Sequence, residues 1–353
     1  MDLQLRPFST INLSDPFFDS LKVSYPEFSE WFKKKANQGA MAYVFYFDDG
    51  RVADFLYMKI ETEAITDIEP VLPAKRRLKV GTFKLLSRGT RRGERFMKKI
   101  KDTAIAENVD EIYVTIFPTP ELEYLIKMFE RYGFIHIANK PHSEGPAEWV
   151  LVRKTKEIVG NVIKDYPLVK LQGCRKWLLS IKPEFHTALF PDSILANESY
   201  DVVQDVTHTN GIYKTYISWA TDCAQLIPGD LIVIYRMKDN QGPAKYRSVA
   251  TSLCTVIEVK NRSSFNSEEE FLSYTQYSVF DKNDLQRWFK QGRDFIVIKM
   301  LYNVAFTNRV IRNDLIEIVG LDGSQRWTII PLSEQQLRAI IDLGRANTRY
   351  FIE

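Results

Sequence analysis

Between Lys75 and Lys101 the chain reads KRRLKVGTFKLLSRGTRRGERFMKKIK, with twelve Lys or Arg residues against one carboxylate, Glu94. The whole chain is nearly balanced at a formal +3, so this charge is local and predicts an anionic partner. A half-apolar run at the start predicts a strand, Arg88-Gly89-Thr90-Arg91-Arg92-Gly93 predicts a turn, and an amphipathic pattern after it predicts a helix. A helix that opens on such a turn leaves its first backbone N–H groups without intrahelical partners, which suits them to hold phosphate. Gly93 fits that use, because it has no Cβ to obstruct the approach of an anion to the backbone. A solvated basic helix end on a structural turn is the plainer alternative.

The elements around this stretch follow from pattern. Pro26–Ala36 places Phe28, Trp31 and Phe32 at i, i+3 and i+4, a short amphipathic helix with Lys33–Lys35 on its solvated face. Met41–Phe47 and Arg51–Glu61 are rich in Tyr, Val and Phe, and Asp48-Asp49-Gly50 between them predicts a hairpin. After the basic stretch come a helix through Ala106, a strand at Glu111–Phe117, a helix from Glu121 that ends in Phe129-Glu130-Arg131-Tyr132-Gly133-Phe134, and a strand at Trp149–Arg153. The turn and this order together resemble the GCN5-related N-acetyltransferases (GNAT), whose cofactor motif is Gln or Arg, two residues, Gly, one residue, then Gly or Ala. Arg88 and Gly93 keep its first and last positions, and Arg91 stands where the middle Gly is usual.

The resemblance implies acetyl-CoA as cofactor. It assigns the pyrophosphate to Arg88, Arg91, Arg92, Gly93 and Glu94, mainly through their main chain, and the pantetheine arm to a slot lined by Phe83 and Leu85. The family often uses a late-helix Tyr as acid, but the matching position is Phe129, which leaves Tyr132 or Tyr124. Glu61 or Glu63, after the hairpin, is the best-placed carboxylate for a general base, with Glu61 preferred. Without a convincing acid–base pair, an α-amine titrating near pH 8 is a better acceptor than a lysine near 10.4. The aminoacyl end of a charged tRNA is one such amine.

From Trp177 onward short strands alternate with turn residues, and Ile227-Pro228-Gly229-Asp230 precedes the apolar run Leu231–Tyr235. This half resembles the PUA-like superfamily, including EVE and ASCH domains, which implies a mostly β barrel with added helices that binds RNA or a modified nucleotide. Tyr216, Trp219, Tyr235 and Trp327 are then the stacking candidates, and Lys182, Ser218, Arg236 and Arg326 the candidates for base edges or phosphates. Aromatic residues on strands are more often core than platform, and His186 reads as structural. The expected fold is thus α/β plus mostly β: a GNAT-like mixed sheet over residues 1–155, a connector at 156–172 and a PUA-like domain at 173–353.

Composition excludes several classes. The chain is 26% charged with no apolar run of the roughly 18 residues that suggest a membrane span, and MDLQLRPFST is not a signal peptide, so a cytoplasmic location is expected. Cys174, Cys223 and Cys254 lack CxxC spacing and the four His residues are scattered, so no metal site is expected. Two functions remain open: an acetyltransferase acting on an RNA-linked or other α-amine, and a non-catalytic reader of RNA or modified nucleotides built on a degenerate acetyltransferase fold. The first would suit a translation-targeting toxin or a phage-defence factor, with an antitoxin protein as a further partner.

Overall fold

In the computed structural model, residues 3–86, 91–142, 145–191 and 211–353 are described, and they form two compact units, 1–159 and 160–353. The first unit contains, in chain order, β1 (Gln4–Pro7), α1 (Asp19–Ser24), α2 (Phe28–Asn37), β2 (Met41–Tyr46), β3 (Val52–Glu61), β4 (Arg77–Leu85), α3 (Arg92–Ala106), β5 (Glu111–Ile116), α4 (Glu123–Arg131), β6 (Ile135–Lys140) and β7 (Glu148–Lys154). The strands form one seven-stranded mixed sheet in the order β1-β2-β3-β4-β5-β7-β6. Gly50, at φ 85°, closes the hairpin between β2 and β3, a left-handed position that favours glycine.

Two apolar faces hold this sheet. On one face, Phe8, Phe17, Phe18, Phe28 and Phe32 pack over Val44, Phe55 and Tyr57, which explains why the i, i+3, i+4 pattern of α2 becomes a helix laid on strands. On the other, α3 buries Phe96, Met97, Ile100 and Ala104, and the Phe96 ring lies 5.5 Å from that of Phe45. Beyond the end of α3 at Ala106, Asn108 takes a left-handed φ of 48°, and its N–H bonds back to the Ile105 carbonyl at 3.1 Å.

The second unit contains α5 (Val162–Asp165), β8 (Val169–Lys170), β9 (Lys176–Ile181), α6 (Pro183–Leu189), β10 (Tyr213–Ser218), β11 (Leu231–Arg236), α7 (Ala244–Arg247), β12 (Val249–Asn261), α8 (Glu268–Thr275), α9 (Lys282–Lys290), β13 (Ile296–Ile311), α10 (Arg312–Glu317), β14 (Ile329–Leu332), α11 (Glu334–Leu343) and β15 (Phe351–Ile352). Its main sheet is six-stranded, β10-β13-β12-β11-β9-β14, with β15 paired to β8 separately. Among the described residues this sheet is strongly bulged and no ladder joins β10 to β14, the closure that the expected barrel would have. The apolar runs Leu231–Tyr235 and Val249–Val256 are buried on both faces, which gives two cores, one around Ile234 and Phe271 and one around Val233 and Leu253.

Candidate functional site

Strand β4 is paired along its whole length with β3, from Arg77 opposite Glu61 to Leu85 opposite Asp54. Its other edge pairs with β5, in parallel, only over Arg77–Val80 opposite Glu111–Val114. Beyond Val80 the two strands part. The β3 register skips Gly81 at this point, placing a bulge where the split begins, and bulges bend a strand and increase its twist. Glycine is required there, because a Cβ would stand 2.8 Å from the Tyr57 ring. From Thr82 to Leu85 the β5-facing edge of β4 therefore has no strand partner among the described residues. Leu85 lies five positions beyond Val80, roughly 17 Å of strand, and the wedge leads to the first turn of α3.

That first turn begins after Arg91, held left-handed at φ 56°. Gly93 lies in close contact with its surroundings: a Cβ there would come 2.9 Å from Leu85 Cδ1 and 3.1 Å from Met128 Sδ. The glycine thus has a packing reason, seating α3 on β4 and α4, besides the expected one of phosphate access. Phe83 sets its ring edge-on to Phe96 and Phe129, each at 5.5 Å. Phe129, at the position expected for a catalytic Tyr, is fully buried in this aromatic group. Glu94 lies 3.5 Å from Arg91 Nε. Arg88 lies outside the described residues.

The Arg92 guanidinium pairs with the Asp54 carboxylate at 2.9 Å, both groups buried. The other oxygen of Asp54 accepts from Leu86 N–H at 3.0 Å. One buried carboxylate on β3 thereby fastens the residue before the turn and the residue after it.

Much of the charge of the basic stretch is also paired within the protein. Lys75 and Arg77 both bind Glu111, at 2.6 and 2.8 Å. Arg76 pairs with Glu107 at 2.9 Å and Lys98 with Asp102 at 2.7 Å. Lys84 reaches Ser20 Oγ at 2.6 Å, and Lys101 donates to the Tyr132 carbonyl at 2.8 Å. Most of the balancing carboxylates lie outside the stretch, in Glu107, Glu111 and Asp102, and were invisible to a window count.

Both expected catalytic residues are engaged within the fold. Glu61 stands opposite Arg77, at the closed end of the wedge, where it accepts from the Tyr113 hydroxyl and pairs with Lys59 and, at 4.0 Å, Lys79. Burial alone would raise its pKa, but Lys59, Tyr113 and Lys79 outweigh burial and hold the carboxyl below its ordinary range. Such a carboxylate is a poor proton acceptor at neutral pH. Tyr132 is 3% exposed and caps α4.

A different cluster, not picked out from sequence, sits at the open end. Phe117 follows β5, and Glu148 begins β7 beside it. Glu148, 2% exposed, accepts from the Tyr25 hydroxyl at 2.6 Å and contacts His142 Nε2 at 3.0 Å. The Phe117 ring lies 5.6 Å from Tyr25 and 5.0 Å from His142. Burial first, and Glu148 second, push the Tyr25 pKa up, so its hydroxyl stays protonated and donating. Tyr25 is 123 residues from Glu148, and nothing in either local sequence announces the meeting.

In the second unit the predicted nucleic-acid residues divide. Tyr216 and Tyr235 are buried core residues, and Trp327 is 6% exposed against Tyr235, its Nε1–H donating to the Asp322 carbonyl. Ser218 is buried and accepts from Ala220 N–H, and Arg236 is 3% exposed beside Asp239. All five are buried, so none of them presents an exposed face to a base. Arg326 is exposed but is not part of the cleft. Lys182 and Trp219 do come together, in a cleft of about 400 Å³ completed by Trp288, Gln291 and Arg293. Trp219 meets Trp288 edge-on at 4.6 Å. Trp288 lies on α9, whose amphipathic pattern was the only sequence signal for it. Among the described residues no group of acidic, His and Cys side chains could hold a metal, and no helix is long and apolar enough to cross a membrane.

No protein-family model and no curated protein matches this sequence. Solved structures of two kinds are similar at the level of backbone. An ASCH protein from Zymomonas mobilis is 10% identical, covering 48% of this chain and 94% of its own, with a TM-score of 0.31. Naa20 from Chaetomium thermophilum, solved with a bisubstrate analogue, is 12% identical over 47% of this chain and 88% of its own, with a TM-score of 0.32. Naa50 from Arabidopsis thaliana, solved with the analogue CoA-Ac-MVNAL, is 16% identical over 44% of this chain and 99% of its own, with a TM-score of 0.31. The neighbours thus include ASCH-domain proteins and GNAT acetyltransferases, each spanning somewhat under half of the chain.

Proposed function

We propose that the first unit binds an acyl-CoA such as acetyl-CoA and transfers its acyl group to an amine, and that the second unit holds RNA or a nucleotide. The observation that carries the first part is the unpaired Thr82–Leu85 edge leading to the start of α3. A pantetheine arm carries amides that can pair with an open strand edge as an added strand would, and its pyrophosphate would then meet the N–H groups of Arg92, Gly93 and Glu94. Phe83 and Leu85 would line the arm, and backbone donors at the split would polarise the thioester carbonyl. When bound, acetyl-CoA supplies the activated acyl group; the chain orients it and keeps water from it.

The second part rests on the Lys182–Trp219–Trp288–Arg293 cleft, which combines indole faces with two cations. Indoles stack on bases of any sequence, and cations add phosphate contacts that weaken with salt. An RNA-linked amine would join the two activities in one acceptor. The burial of Phe129 favours the non-catalytic reader as a second reading, since the usual acid is missing.

Thermal unfolding of the full chain with acetyl-CoA separates the two. A ligand at 100 times its dissociation constant stabilises by about 2.7 kcal/mol, or roughly 5–11 °C for a unit of this size. Absence of any shift at millimolar acetyl-CoA would leave only the reader.

A further inference from the structure

We propose that His142 is the catalytic base that takes the proton from the acceptor amine, with Glu148 and Tyr25 as the residues that position it; this rests on the acyl-transfer reading above. The expectation of an α-amine came from the lack of a convincing acid–base pair in the sequence, and the fold places a candidate base there.

The face on which this pair lies is fixed by strand register. Tyr113 is opposite Val152 and Thr115 opposite Val150, so Phe117 and Glu148 continue the same face two positions on. Val150 and Val152 pack with Tyr113 on that face, and α3 covers the opposite one. An arm seated from the α3 side would therefore present its thioester to an acceptor arriving past Phe117, Tyr25 and His142. Phe117 lies three positions beyond Val114, the last β5 residue paired with β4, or roughly 10 Å along the strand.

The chemistry of the cluster is directional. An ionised carboxylate only accepts, so contact with Glu148 places the ring proton on Nε2 and leaves Nδ1 as the acceptor. Both Glu148 oxygens are used, one by Tyr25 and one by His142, which fixes the ring. The Glu148 side chain is 3% exposed and that of His142 26%, so the imidazole is the end of the chain that an acceptor can touch. Among the described residues, the charged and titratable groups around it are Tyr25 and Glu27 from the α1–α2 connection, Glu148 from β7, and Lys140 on β6, itself paired with Asp67 at 2.7 Å.

The step balances simply. His142 Nδ1 removes one proton from the acceptor ammonium, and the freed lone pair forms a C–N bond at the thioester carbon. The C–S bond breaks, the thiolate takes a second proton from the attacking nitrogen, and His142 returns its proton to water. An amide, free CoA thiol and one released proton result.

The test uses the full chain, acetyl-CoA, and two probe amines, glycinamide and Nα-acetyl-lysinamide. His142→Gln should reduce CoA release by about 10²–10⁴-fold at pH 7, while its stabilisation by acetyl-CoA stays unchanged. Free imidazole should restore turnover to His142→Gly, which a purely structural histidine would not allow. Independently of activity, ¹⁵N NMR of the ligand-free protein should show His142 protonated at Nε2 and accepting at Nδ1, a signature that Glu148→Gln abolishes. Loss of less than about tenfold in His142→Gln, no imidazole rescue, the opposite tautomer, or no acetylation of either amine by a wild type that binds acetyl-CoA would each overturn the proposal. A wild type that does not bind acetyl-CoA would instead overturn the reading beneath it.

Discussion

Replacing Asp54 should both destabilise the first unit and abolish acetyl-CoA binding. Its carboxylate is wholly buried, with Arg92 at 2.9 Å and Leu86 N–H at 3.0 Å on its two oxygens. Asp54→Ala leaves the Arg92 guanidinium, itself only 7% exposed, without its carboxylate. Breaking a buried pair from one side costs about 3–5 kcal/mol, which for a unit of this size lowers the melting temperature by roughly 6–20 °C. Asp54→Leu combined with Arg92→Leu removes both charges, and such exchanges are often neutral or stabilising. That double variant should recover most of the stability yet still bind acetyl-CoA poorly, because neither flank of the turn is held. Calorimetry and acetyl-CoA titration on wild type, the single variant and the double variant give both quantities. A loss below about 1 kcal/mol in Asp54→Ala, well short of a broken buried pair, or full binding in the double variant, would refute the view that this carboxylate sets the turn.

Three further outcomes follow. Trp219→Ala and Trp288→Ala should each weaken binding of a single-stranded oligoribonucleotide by about 1–3 kcal/mol per stacked base, with affinity falling as salt rises, whereas Arg236→Gln should act on stability alone; filter binding and melting distinguish these. His186 is wholly buried, and burial, with Arg236 and Arg309 nearby, lowers its pKa to about 3. It stays neutral when folded but takes a proton when unfolded, so its contribution is complete above about pH 6.5 and drains as pH falls towards 3, with a slope of at most about 1.4 kcal/mol per unit; His186→Gln should flatten that limb in urea titrations. Glu61 is held below its ordinary pKa by Lys59, Tyr113 and Lys79 against the opposing effect of burial, so its stabilisation is present above the usual carboxylate range and lost as pH falls through its lower folded value. Glu61→Gln should therefore blunt acid unfolding and leave the neutral-pH rate nearly unchanged.

Local pattern made much of the first unit legible. The aromatic spacing of α2, the Asp48-Asp49-Gly50 hairpin and the run from β4 into α3 each encode their structure within about a dozen residues, the range over which periodicity and turn chemistry act. β1 and β6 were not read, since each is short and draws its pairing from β2 or β7. The strand β4 and the start of α3, which depend on local backbone pattern, were legible, whereas side chains meeting across the fold were not. Tyr25 meets Glu148 from 123 positions away, and the Arg92 guanidinium pairs with Asp54, 38 positions earlier. In the second unit, aromatic residues could be listed but not sorted: strand alternation sent Tyr216 and Tyr235 inward, and helix α9 brought Trp288 to Trp219.

The unpaired edge of β4 also writes a code into hydrogen exchange. In an antiparallel pair successive residues turn their N–H groups alternately towards the partner and away from it, so along Thr82–Leu85 one set of amides is locked to β3 and the alternate set opens into the wedge. Without ligand the two sets should exchange at very different rates although they are neighbours on one strand. Filling the wedge should slow only the open set. The sheet thus carries its own occupancy gauge, readable one amide at a time, before any acceptor has been identified.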